Sequence, residues 1–188
     1  ALDANEEFVE FHDQYFLLGL LSEFHEGLFN IADAAIDMLR KAKEREKPFF
    51  VAVGFLKPHL PFIAPKKYWD LYPTERVTLP DNMFFPRGLP SAFNYTWGEM
   101  RAYYGIPQKG PVSDATAVQL IRGYYACVSF IDAQVGRLLD ELEKLGVANN
   151  TIIVFHSDNG GPTRELTSSN LPLRGEKGTV YEGGLRVP

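Results

Sequence analysis

Two short apolar runs constrain this chain more than any other feature in it. Pro48-Phe49-Phe50-Val51-Ala52-Val53-Gly54-Phe55 and Thr151-Ile152-Ile153-Val154-Phe155 are almost free of polar residues and rich in β-branched and aromatic ones. A strand with one face in water alternates apolar and polar residues. A run without alternation suits a strand covered on both faces, as in a parallel sheet between helices. Helical patterning precedes each run. Ile31, Ala35, Met38, Leu39 and Ala42 recur at helical spacing with charges opposite. Asn30 is the expected N-cap, Asp33 falls in the first turn, and Pro48 predicts an end near Glu46. Ile121, Tyr124, Tyr125, Val128, Ile131, Val135, Leu138, Leu139, Leu142 and Leu145 form a second stripe, with Gly146 as its stop. Helix, buried strand, excursion, helix, buried strand predicts an α/β fold with a largely parallel sheet flanked by helices.

Each run ends in a polar cluster. The first leads into Lys57-Pro58-His59-Leu60-Pro61, the second into His156-Ser157-Asp158-Asn159-Gly160-Gly161. Open α/β sheets place their ligand sites at the carboxyl ends of strands, so both clusters are candidate site segments. Between them, residues 63–115 form a long irregular excursion rich in proline and aromatics. Loops of that size are functional or disordered. Phe84, Phe85, Phe93, Tyr95, Trp97, Tyr103 and Tyr104 favour an ordered excursion packed on something. The first 25 residues are acidic and aromatic without a clear period.

Asp158 and Asn159 are adjacent hard oxygen donors of the kind calcium accepts. The same residues with Gly160-Gly161 each favour turn geometry, so a plain turn stands beside the ligand reading. His59 is suited to donating a proton to a leaving oxygen or to binding an anion, and equally to a structural place between prolines. Lys57 offers a cation to an anionic substrate, or a solvated surface charge. Lys177, on the Gly-rich loop Leu173-Arg174-Gly175-Glu176-Lys177-Gly178, offers a compact point charge to an anionic oxygen. Cys127, between Ala126 and Val128, reads as a small core residue. His12, His25 and His156 suggest no partner.

The balance of charge narrows the classes. A formal net charge of −5 and a pI near 5.4, without a basic stripe, argue against a nucleic-acid partner. No apolar run approaches the roughly 20 residues of a membrane span, and no signal peptide opens the chain. A single cysteine excludes an internal disulfide framework. The sequons at Asn94 and Asn149 matter only in a secreted eukaryotic protein. The chain opens without Met and stops after a Gly-Gly turn, so the expectation is a segment of a longer polypeptide, incomplete at both ends.

Four motifs in order carry a resemblance to the sulfatase family of the alkaline-phosphatase-like superfamily, over roughly residues 30–188. They are Lys47-Pro48-Phe49-Phe50 through His59-Leu60-Pro61-Phe62, Phe130 through Leu139, Ser157-Asp158-Asn159-Gly160-Gly161, and Lys177 through Pro188. Residues 47–147 look most like the iduronate branch of that family, and the ending looks more like arylsulfatases. The resemblance implies one partial catalytic domain over 1–188 that contains the 63–115 excursion. It implies Asp158 and Asn159 as calcium ligands, His59 as the residue assisting the leaving oxygen, and Lys177 as a sulfate-binding lysine. Lys57 becomes a substrate contact. The implied partners are a sulfated small molecule or glycan and the rest of the same polypeptide, in a secreted, periplasmic or lysosomal setting.

One departure matters. The family's formylglycine nucleophile arises from Cys or Ser in a Cys/Ser-x-Pro/Ala-x-Arg motif, and an Asp-Asp pair binds the same calcium. Neither occurs in these 188 residues, and Cys127 is followed by Val-Ser-Phe-Ile. The expectation places both elements upstream and makes the 188 residues inactive alone. Two other readings stand beside this one: a phosphodiesterase or phosphonate hydrolase of the same superfamily, and a non-catalytic fragment that binds a glycan or a partner. A parallel sheet without its upstream strands also predicts poor solubility.

Overall fold

A computed structural model describes residues 8–11, 15–20, 27–81, 87, 98–103, 105–161 and 170–185. His12, His25, Phe84, Phe85, Phe93, Asn94, Tyr95, Trp97 and Tyr104 lie outside them. The chain divides into two compact units, one of Ala1–Val77 with Val118–Thr151, the other of Thr78–Ala117 with Ile152–Pro188.

The first unit holds a three-stranded sheet in the order β1 (Phe8–Phe11), β2 (Tyr15–Leu20), β3 (Phe50–Val53). β1 pairs with β2 antiparallel and β2 with β3 parallel, Leu18 opposite Val51. The crossover between the parallel strands is α1 (Gly27–Glu44), which lies against both. The α/β class therefore appears in its usual form, a helix carrying the chain between parallel strands. Two details differ from the sequence reading. Asn30 is inside α1 and not its cap, because the helix begins at Gly27. And β3 is not covered on both faces: Val51 and Val53 are half-buried, while Phe50 is 57% exposed. α1 covers one side, and among the described residues of this unit no second layer covers the other.

α1 turns Ile31, Ala32, Ala35, Ile36, Leu39 and Ala42 inward. Its polar face meets α3 (Asp114–Lys144), where Arg40 Nε donates to Glu141 Oε1 at 2.7 Å and Arg137 pairs with Asp33. At the start of α3, Ser113 Oγ accepts the backbone N–H of Thr116 at 3.1 Å, an N-cap bond. At its end Gly146 adopts φ 68°. Gly146 N–H donates to the Glu143 carbonyl at 2.9 Å and Val147 N–H to the Leu142 carbonyl at 3.1 Å. This is the Schellman pattern, which requires a residue tolerant of positive φ. Gly146 thus stops the helix as the stripe predicted, while the cap at Ser113 starts it a full two turns before Ile121.

α3 also seats the first part of the excursion. Tyr68, in α2 (Lys66–Trp69), packs on Ala126 and Phe130, with the two rings 5.5 Å apart. Tyr72 shares a 2.6 Å hydrogen bond with Ser129, and Arg122 Nε donates to the Tyr72 carbonyl at 2.6 Å. Two further short 3-10 turns, Thr74–Arg76 and Glu99–Ala102, give this stretch local order. In the second unit Tyr103 O–H donates to Glu99 at 2.6 Å.

The second apolar run departs most from expectation. Residues 151–157 form no regular element and pair with no described strand, and Ile152 is 92% exposed with Ile153, Val154 and Phe155 exposed beside it. A strand exists only by hydrogen bonding to a neighbour, and none of the described residues supplies one.

Candidate active site

In the first unit the chain leaves β3 and turns at once. His59 N–H donates to the Leu56 carbonyl at 3.1 Å, and its exposed ring meets the Leu60 carbonyl through Nδ1 at 2.9 Å. A carbonyl only accepts, so Nδ1 carries the hydrogen and Nε2 carries the lone pair of the neutral ring. Lys57 lies under this turn. It is 3% exposed, and its Nζ donates to the carbonyl of His59 at 3.1 Å and to that of Pro61. Its ammonium is thus engaged with the backbone at His59 and two residues beyond it. Cys127 on α3 packs below, its Sγ 3.6 Å from the Ile63 carbonyl. Burial raises the Cys127 thiol pKa, and the nearby Lys57 charge offsets part of that. A fully buried thiol of raised pKa on a helix is a core residue and no nucleophile.

The same loop presses on α3 at Gly123. A Cβ there would lie 2.8 Å from Phe62 Cβ and 2.9 Å from Trp69, so only glycine admits the contact. Phe62 also meets Tyr124 edge-on at 5.8 Å.

In the second unit Asp158 and Asn159 form a bend after the apolar run. Asn159 Nδ2 donates to Asp158 Oδ2, and Ser157 Oγ donates to the Asn159 carbonyl at 2.8 Å. The two side chains therefore converge, a carboxylate beside an amide. As donors they are hard and suit calcium, but they supply two ligands where calcium takes six to eight oxygens. Among the described residues no group of three or more His, Cys, Asp or Glu is assembled to hold a metal. Asp158 and Asn159 would supply two of the oxygens such an ion needs.

Lys177 stands on the loop that faces this bend. Its backbone N–H donates to the Gly161 carbonyl at 3.2 Å, and its side chain is exposed. Gly160 N–H donates to the Gly184 carbonyl at 3.1 Å, and Gly183 N–H to the Arg174 carbonyl at 2.7 Å. Gly183 and Gly184 belong to α4 (Glu182–Leu185). The bend, the lysine loop and α4 are thereby laced backbone to backbone. Asn170, absent from the sequence reading, sits buried at their junction. In sequence it is one more polar residue before Leu171-Pro172, with nothing to separate it from a turn.

Lys57 and His59 thus come together in one unit, and Asp158, Asn159 and Lys177 in the other. The sulfatase family profile matches residues 29–188, and the chain belongs to that family. It is 40% identical over 134 residues to human iduronate 2-sulfatase, covering 68% of this chain and 24% of that protein. It is 33% identical over 158 residues to an arylsulfatase of Clostridium perfringens (strain 13 / Type A), covering 84% of this chain and 30% of that protein. Among solved structures, Ps i-CgsB in complex with k-i-k-neocarrahexaose aligns with a TM-score of 0.48 at 24% identity, over 89% of this chain and 28% of that one. The chain spans about a quarter to a third of the length of these relatives. The alkaline-phosphatase-like α/β class follows from the family.

Proposed function

We propose that the full protein hydrolyses a sulfate ester with calcium, and that these residues supply the half of its active site that receives and neutralises the sulfate group. The observation that carries this reading is the Lys177–Gly161 hydrogen bond, which holds a lysine loop against the Asp158–Asn159 bend in a member of the sulfatase family. A calcium ion held by Asp158 and Asn159 would draw charge from the sulfuryl oxygens. Lys177 adds a fixed positive charge for one such oxygen, which favours the more highly charged transition state. His59 assists the leaving oxygen by giving it a proton. Lys57 contributes through its bonds to the His59 and Pro61 carbonyls, which fix the turn that carries the histidine. Direct contact with substrate requires it to leave them.

The nucleophile is formylglycine from a Cys or Ser that lies outside these 188 residues, together with the further calcium ligands. The substrate class is a sulfated small molecule or glycan. Relatives named iduronate 2-sulfatase and ulvan-active sulfatase act on such compounds by name, which supports the class without choosing a member. No helix among the described residues is long and apolar enough to cross a membrane.

The test compares release of inorganic sulfate and phosphate from matched aryl esters by the full-length gene product. Preferential sulfate release is expected. Preferential phosphate release would move the protein to the phosphorus-acting branch of the superfamily. Turnover of neither, with a sulfated glycan still bound, would favour the non-catalytic reading. The 188 residues alone are expected to release no sulfate.

A further inference from the structure

Asn170 is 3% exposed, and its carboxamide makes four hydrogen bonds. Oδ1 accepts the Gly161 N–H at 3.0 Å. Nδ2, with two hydrogens to give, lies within hydrogen-bond distance of three carbonyls, those of Gly161 at 2.8 Å, Gly183 at 2.9 Å and Gly175 at 3.2 Å, so one hydrogen is shared between two of them. Gly161 lies two residues after Asn159, Gly175 two before Lys177, and Gly183 within α4. Among the described residues no sheet or helix joins these three segments, so the side chain completes the backbone pairing that secondary structure would otherwise supply.

We propose that Asn170 is a positioning residue of the sulfate site: its carboxamide sets the Asp158–Asn159 bend and the Lys177 loop in one register. The inference rests on the function proposed above, and the geometry is specific to asparagine. An aspartate keeps the acceptor but turns a carboxylate toward three carbonyls, and glutamine is one methylene too long. The frame has no slack to absorb such a change. A Cβ at Gly183 would lie 2.5 Å from the Gly175 carbonyl oxygen and 2.9 Å from that of Arg174, so backbone is packed directly on backbone. Asn170 touches no candidate reacting group and acts through Gly161 and Gly175. A misplacement of about 1 Å between charged groups that act together costs on the order of 100-fold in rate.

The experiment uses the full-length gene product carrying Asn170→Asp, with Ile36→Val in the core of the first unit as a stability control. Hydrogen exchange is followed in peptides covering 158–161, 174–184, α1 and α3. kcat and KM are measured on an aryl sulfate ester at saturating calcium, and the half-saturating calcium concentration is recorded. The expected result is joint loss of protection at 158–161 and 174–184 with α1 and α3 unchanged. kcat should fall by about 100-fold, KM should move by less than about threefold, and half-saturation should shift to higher calcium. Ile36→Val should keep the native kcat. Asn170→Ser, which removes most of the bonds without adding charge, carries the same test if the aspartate variant does not accumulate. Unchanged exchange at the two segments, or a loss of activity matched by the unfolded fraction alone, would overturn the proposal. If the unmodified protein releases no sulfate, the functional reading fails, and the exchange data still decide whether Asn170 sets the register.

Discussion

The backbone N–H of Lys177 donates to the Gly161 carbonyl at 3.2 Å, only two residues beyond Asn159. The bond ties the loop that offers a cation to the bend that offers oxygen ligands, across fifteen intervening residues of chain. It places the lysine by its main chain and leaves the side chain exposed to a ligand.

That separation predicts the effect of Lys177→Ala. With the side chain exposed, stability should change by less than about 0.5 kcal/mol. Loss of one preorganised charge at the sulfate should lower kcat of the full protein by about 100- to 1000-fold. Thermal melting and steady-state turnover of the same preparation check both halves.

Gly123→Ala should act on the opposite side of the problem. The added methyl group meets Phe62 and Trp69, which seat the loop carrying His59 on α3. Overpacking of this kind costs about 1–3 kcal/mol. A lower urea midpoint with an unchanged m-value is the expected reading.

Cys127 should be silent toward thiol reagents in the native state. It is wholly buried, and burial holds the thiol above its ordinary pKa. Iodoacetamide at pH 8 should label it only when denaturant is added. Fast native labelling would contradict the packing of α3 against the loop.

The Arg40–Glu141 pair predicts an acid-sensitive contact between α1 and α3. The hydrogen bond from Arg40, aided by its charge, lowers the Glu141 pKa and raises that of Arg40. A carboxylate with a lowered folded pKa adds stability above its unfolded value of about 4.3, and loses it as pH falls through the folded value. The urea midpoints of wild type and Glu141→Gln should therefore differ at pH 7 and draw together as the pH falls below the unfolded value of about 4.3. A constant gap would contradict the pairing.

Helical order was legible in the chain because its signals are local. The Ile121–Leu145 stripe and the Gly146 stop depend on spacing and on one residue's tolerance of positive φ, and both appear. The start of α3 was missed because the Ser113 cap precedes the apolar stripe, and Asn30 misled because a good capping residue can also sit inside a helix. The strand readings rested on burial by something else. Phe50 and Ile152 carry the pattern of covered strands, but cover and pairing come from other segments: β2 pairs with β3 and α1 covers one of its sides, while among the described residues no strand pairs with Ile152. Among site residues, Asp158 and Asn159 meet as adjacency requires. The engagement of Lys57 with the His59 and Pro61 carbonyls, and the four bonds of Asn170, exist only in three dimensions.

The most direct measurement is calcium-dependent sulfate release by the full-length protein, wild type against Asp158→Ala. The account predicts turnover that chelation abolishes and added calcium restores. The variant should need far more calcium and stay slower at saturation. Full activity in chelator, or a variant with wild-type calcium dependence, would contradict the placing of a metal at Asp158 and Asn159.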